Sequence, residues 1–154
     1  MTTPQEIAKQ LRQAYLGGNW SEQSIKEVLE DVSAAEANKK VYGLNTIAML
    51  THHVHYFVVG ICPVLEGGPL TIRDKYSWET PDLSTDYDWS QYRQQMLIDM
   101  ERLATLIERL DDTTLQAAFD QEKYGNYFQN LEGIIEHIYY HLGQIVVLKK
   151  IIRS

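Results

Sequence analysis

A single cysteine, Cys62, occurs among the 154 residues of the chain, so no disulfide can form within it. The first residues also lack the basic and then apolar run that is typical of a secretory signal. Because stable disulfides belong to oxidising compartments, both absences favour a reducing, cytoplasmic location.

Basic residues are scarce as well, with 14 Lys and Arg against 21 Asp and Glu and a net charge of -7. The densest basic pairs, at 39–40 and 149–150, are short and isolated. A surface of this sign repels phosphate groups, so we expect no nucleic-acid partner and no binding to anionic membranes.

Long apolar runs are also missing. The longest, "VHYFVVGICPVL", has only about a dozen residues and is interrupted by His55, Gly60 and Pro63, whereas a membrane span needs about 20. The sequence therefore predicts a soluble protein with no membrane partner. Its length suits one domain, which we place at 1–154.

What the chain does contain is helical periodicity. Four long amphipathic stretches have apolar residues at helical spacing, and no strand pattern of any length is present. We predict helices from Pro4 to the glycines at 17–18, at 46–61 after an Asn45 cap, at 89–110 after an Asp88 or Ser90 cap, and at about 127–152. Four long helices in a chain of this size predict an all-α four-helix bundle with long connecting loops.

The segment 66–88, "EGGPLTIRDKYSWETPDLSTDYD", shows no periodicity and is predicted to be a loop. Loops this long in a compact domain are usually functional or belong to an interface. Asp74 and Lys75 are the candidates within it for a lid or a dimer contact, set against the alternative of an ordinary solvated loop.

All five histidines lie in two predicted helices, in "LTHHVHYF" and in "EHIYYHLGQ". On the first helix, His52 falls roughly opposite the apolar stripe, His53 lies beside Leu50 and Phe57 at the edge of that stripe, and His55 lies on the other flank. Helical geometry therefore disfavours His52, favours His53 and leaves His55 open.

On the last helix, His137 and His141 are four residues apart and share one face. Two such imidazoles and a third from a facing helix can bind one metal ion and leave a coordination position open, as catalytic sites do. The same spacing also fits histidines that are hydrogen-bonded in the core. Gln144, one turn after His141, is a candidate for a supporting hydrogen bond or a substrate contact, as is His55. For Gln144 an ordinary hydrogen bond between helices is the alternative that we favour.

A family resemblance favours the metal site. The stretches "NTIAMLTHHVHYFVVGI" and "GIIEHIYYHLGQIVVLKKII", with "GNW" and "GGPLTIRDKYSW", resemble the DinB/YfiT-like family of bacterial four-helix-bundle proteins over nearly the whole chain. In that family one histidine of the second helix and an H-x-x-x-H pair of the fourth bind a divalent metal. The resemblance implies His53, His137 and His141 as ligands of one divalent transition metal, with zinc and nickel favoured.

The resemblance also implies a function. Characterised relatives include metal-dependent transferases that use a low-molecular-weight thiol, so we expect a metal-dependent enzyme that transfers such a thiol to a small electrophile, acting as a homodimer. The alternative is a non-enzymatic bundle that binds a metal or a small molecule in a stress-related role. A cavity beside an open coordination position favours the first interpretation, and a fourth protein ligand favours the second.

Overall fold

The computed structural model describes residues 1–154, and its regular secondary structure is all helical, as the sequence predicts. The α-helices are α1 (Thr3–Leu16), α2 (Ile25–Leu29), α3 (Ala34–Ala37), α4 (Ile47–Gly60), α5 (Cys62–Leu65), α6 (Asp86–Glu108) and α7 (Tyr127–Arg153). Three short 3-10 helices lie at Asp74–Trp78, Thr114–Gln116 and Glu122–Tyr124. The chain has no β-strand.

The helix starts differ from the predicted caps at two places, because a threonine hydroxyl takes the capping role. Thr46, not Asn45, precedes α4 and accepts a hydrogen bond from the N–H of Met49 at 3.1 Å. Thr85 caps α6 by accepting from the N–H of Asp88 at 3.0 Å, so the predicted loop ends three residues earlier than 88. Each hydroxyl satisfies a backbone N–H that has no partner within the helix.

Each of the four long helices packs mainly against two of the others. Helix α1 lies against α6 and α7, and α4 lies against the same two helices. Their apolar faces join in one continuous cluster of buried hydrophobic residues, which includes the free Cys62. This packing places α4 beside α7 and brings the two histidine-bearing segments together.

The long loop folds back onto α4 rather than extending into solvent. Its 3-10 helix, Asp74–Trp78, packs against α4. Ile72 passes so close to Gly60 that a Cβ built there would lie 2.3 Å from Ile72 Cγ2. Glycine at position 60 therefore permits the close approach of the loop to the helix.

One segment, Ile47–Leu65, is long and apolar enough by composition to cross a membrane, and 61 % of it is buried inside the protein. It comprises α4 and α5 with a break at Ile61, and α4 itself has 14 residues. At 1.5 Å per residue, α4 is about 21 Å long, shorter than the roughly 30 Å of a bilayer core. Burial of this kind is typical of the core helix of a soluble protein.

Candidate metal centre

The structure brings together the three histidines that the sequence singled out. His53 lies on α4, and His137 and His141 lie on α7. The Nε2 atom of His137 is 3.0 Å from Nε2 of His53 and 3.1 Å from Nε2 of His141. His53 and His141 are buried and His137 is half-buried, so the three ring nitrogens meet just below the surface.

The proton positions on His53 follow from a chain of hydrogen bonds to the loop. Its Nδ1 lies 2.7 Å from Oγ of Ser77, and that Oγ lies 2.6 Å from the carbonyl oxygen of Asp74. Because a carbonyl only accepts, the single hydroxyl proton of Ser77 goes to Asp74. Ser77 must then accept from Nδ1–H of His53, which leaves Nε2 of the neutral ring with a free lone pair.

His141 is oriented in a similar way by its own helix. Its Nδ1 lies 2.6 Å from Oε1 of Gln144, and an amide oxygen can only accept. The Nδ1–H of His141 therefore donates to Gln144, and the lone pair on Nε2 points at the other two histidines. Gln144 thus contacts a histidine of the cluster from one turn further along α7.

His137 cannot donate a hydrogen bond to both of its neighbouring histidines. In its Nε2–H tautomer it can donate to His53 or to His141, so at least one lone pair in the cluster is always without a donor. A single cation would accept lone pairs from all three nitrogens. With metal–nitrogen bonds of 2.0–2.1 Å, tetrahedral ligands lie about 3.3 Å apart. The observed separations of 3.0 and 3.1 Å are close to that value, so the three histidines can hold a metal ion.

Burial also keeps these rings in the form that binds metals. Burial first, and the neighbouring imidazoles second, lower the pKa of His53 and of His137 to about 4. A proton and a metal ion compete for the same lone pair. At neutral pH the two rings are uncharged, so protons offer little competition.

Aromatic side chains enclose the cluster on two sides. The Trp78 ring stacks on His53 with centroids 3.8 Å apart and an interplanar angle of 14°. Phe57 meets the rings of His53 and His137 edge to face, with centroids 5.2 and 5.1 Å away. Such contacts fix the ring planes and exclude water from their faces.

A family match covers most of the chain. Residues 18–145 match the DinB superfamily. The chain belongs to the DinB superfamily. No curated protein and no solved structure matches it.

The other two histidines of this DinB superfamily member have separate partners on α6. His52 is half-buried, and its Nδ1 lies 2.8 Å from the hydroxyl of Tyr92. Nε2 of His55 lies 3.0 Å from the carboxylate of Asp99. His55 makes no hydrogen bond with the cluster, because two residues turn its side chain about 200° around the helix from His53, and its predicted supporting or substrate role stays a prediction.

Sequence reasoning missed Ser77 and Trp78. Both lie in the 3-10 helix of the predicted loop, and Ser77 is fully buried. The sequence predicts a functional loop there, but with the charged Asp74 and Lys75 as the candidate residues. Asp74 contributes its backbone carbonyl, and Lys75 lies over the ring of Tyr76. The signal that was available is the pairing of a small hydroxyl residue with tryptophan inside "DKYSW".

Two cavities flank the cluster. One, of about 410 Å³, is bordered by His137 and by apolar residues of α4, the long loop and α7. The other, of about 450 Å³, lies beside Gln144 and Tyr140. Only the first includes one of the three clustered histidines in its wall.

Proposed function

We propose that this DinB superfamily protein is a divalent-metal-dependent enzyme in which His53, His137 and His141 are the metal ligands. The observation that carries the proposal is the convergence of three Nε2 atoms, two of which have free lone pairs because the Nδ1 protons are used elsewhere. Zinc and nickel are the ions we favour, although imidazole ligands suit iron and copper as well.

We infer further that the four long helices form the four-helix bundle that the sequence predicts. The contacts of α1 and α4 with both α6 and α7 support this arrangement. In such bundles, metal sites are formed by side chains from facing helices. The cluster between α4 and α7 has that location.

The ligand set favours catalysis over a structural role. The group of potential ligand atoms consists of three imidazoles, a composition found in catalytic sites that keep a position for substrate or water. A divalent ion held there supplies a Lewis acid that can polarise an electrophile or stabilise a thiolate. Ser77 and Gln144 orient the ligands, while Trp78 and Phe57 keep water from the ring faces.

The reaction we propose is transfer of a low-molecular-weight thiol to a small electrophile, in line with the family resemblance. The cavity beside His137 favours this interpretation over a non-enzymatic metal-binding role, because it offers a substrate direct access to the cluster. The homodimer and the cytoplasmic location remain predictions.

Metal analysis tests the proposal. Protein purified without chelator, or reconstituted with zinc or nickel, should carry about one divalent ion per chain, because the site forms only in the folded chain. His137→Ala should lose the ion, whereas His52→Ala, a histidine outside the cluster, should retain it. Wild type should catalyse the metal-dependent reaction of a thiol such as cysteine with an alkylating electrophile. His137→Ala should lose this activity. A wild-type protein that binds no ion after reconstitution with zinc, nickel and manganese would refute the proposal.

A further inference from the structure

The cavity beside His137 has apolar walls. Phe57 and Ile61 of α4 form one side, Leu70 and Ile72 of the long loop form another, and Phe119 and Ile134 complete it. Its volume of about 410 Å³ lies within the range of pockets that enclose small ligands. Gly60 keeps Ile72 close to α4, so the loop contributes a fixed wall.

No charged side chain lines this cavity. Its two amides are partly used in the N-terminal cap of α7. Oε1 of Gln129 accepts from the N–H of Asn126, and Nδ2 of Asn130 donates to the carbonyls of Tyr124 and Asn126. What remains is the NH₂ group of Gln129 and the Oδ1 atom of Asn130, one neutral donor group and one neutral acceptor.

We propose that this cavity binds the uncharged, largely apolar part of a small-molecule substrate and directs its reactive end toward His137. This inference rests on the proposed function and adds the substrate class. Away from His137 and the ion proposed there, an ionised group placed in the cavity would lose its hydration without gaining a partner of opposite charge. The net charge of -7 further disfavours anionic ligands. The charged part of a thiol cosubstrate therefore binds outside this cavity.

Two glycines of α7 make the proposal testable. Gly133 lies in the cavity wall, one turn before His137, and a Cβ built there meets no atom within 4 Å. A larger side chain at this position can enter the cavity without a clash at its base. Gly143 offers a matched control, since its Cβ is equally unobstructed but it lines the other cavity, beside Gln144.

The experiment compares wild type, Gly133→Phe and Gly143→Phe in their binding of N-phenyl-1-naphthylamine, a neutral probe that fluoresces in apolar sites, and of a sulfonated analogue. We expect wild type to bind the neutral probe more tightly than the anion. Gly133→Phe should weaken the neutral probe by at least about tenfold, because the new ring occupies the cavity, while Gly143→Phe should retain wild-type affinity. Circular dichroism checks folding, and Gly133→Leu provides a second filled cavity.

Unchanged probe binding in both Gly133 variants, loss of binding in Gly143→Phe, or tighter binding of the anion would overturn the proposal. Zinc stoichiometry on the same samples tests the proposed function separately. The folded glycine variants should bind zinc like wild type, because none of these substitutions replaces a ligand. A wild-type protein that binds no zinc would count against the proposed metal-dependent enzyme. The probe results would still decide what the cavity binds.

Discussion

Removing the hydroxyl of Ser77 should weaken metal binding although Ser77 is not itself a ligand. In Ser77→Ala, Nδ1–H of His53 loses its acceptor, and the fully buried position leaves water little access to replace it. His53 is then free to adopt the tautomer with a proton on Nε2, and that nitrogen, the one facing His137 and His141, can then no longer bind a metal. Loss of such a supporting hydrogen bond typically reduces metal affinity by about 10- to 100-fold, or about 1.4 to 2.7 kcal/mol.

Competition with a chelator of known affinity measures this loss for zinc. A second measurement needs no metal: two-bond ¹H–¹⁵N spectra of the metal-free protein should show His53 protonated at Nδ1 in wild type and a mixture of tautomers in Ser77→Ala. Ser77→Thr, which keeps the hydroxyl, should restore the wild-type tautomer if its added methyl group is tolerated.

Ser24→Ala is the matched control. Ser24 is also fully buried, and its hydroxyl caps α2 by accepting from the N–H of Glu27. Its loss should cost about 1 kcal/mol of stability, as for other helix caps, without changing zinc affinity or the His53 tautomer. If Ser77→Ala loses stability in the same way but binds zinc like wild type, Ser77 has only a structural role and our reasoning about the tautomer is wrong.

Two further predictions concern the histidines. His53→Ala should lose the ion, melt like the metal-free parent and show no shift in melting temperature on metal addition, since only an ion bound to the folded state stabilises it; His52→Ala and His55→Ala should still bind the ion, because both side chains bond to α6. Retention by His53→Ala with loss in His55→Ala would show that the assignment on α4 is wrong. Because burial lowers the pKa of His53 and His137 from 6.5 to about 4 in the folded protein, the unfolded chain binds more protons between these values. The free energy of unfolding of the metal-free protein, measured by urea titration, should therefore fall as the pH drops from about 6.5 to about 4. The same dependence on pH in wild type and in His137→Gln would contradict this.

Helical periodicity disfavours His52 and favours His53, while the selection of all three clustered histidines as a metal site also needs the family resemblance. Each residue advances the helix by about 100°, so the positions of His53, His137 and His141 relative to their apolar stripes follow from spacing alone. The same angles explain why His52 and His55 contact α6 instead. Which helix lies opposite each face does not follow from spacing, so the contact of His55 with Asp99 on α6 could not be predicted.

The conformation of the long loop could not be predicted from periodicity, because it depends on contacts between residues that are distant in sequence. Ser77 reaches His53 across 24 residues, and the Ile72 side chain fits against α4 because position 60 lacks a Cβ. A 3-10 helix of five residues has too few turns for a hydrophobic pattern to identify it. The caps at Thr46 and Thr85 were not predicted, because Asn, Asp, Ser and Thr have similar preferences for the cap position and the sequence alone does not distinguish between neighbours of these types.

The contacts of the loop link the order of that segment to the metal site and to the cavity at once. Ser77 sets the proton position on His53, Trp78 covers the ring face, and Ile72 forms a wall of the cavity beside His137. A displacement of the loop would therefore alter the ligand tautomer, the exposure of the cluster to water and the shape of the space available to a substrate. Because the five-residue 3-10 helix cannot hold its conformation alone, its packing on α4 stabilises all three features together.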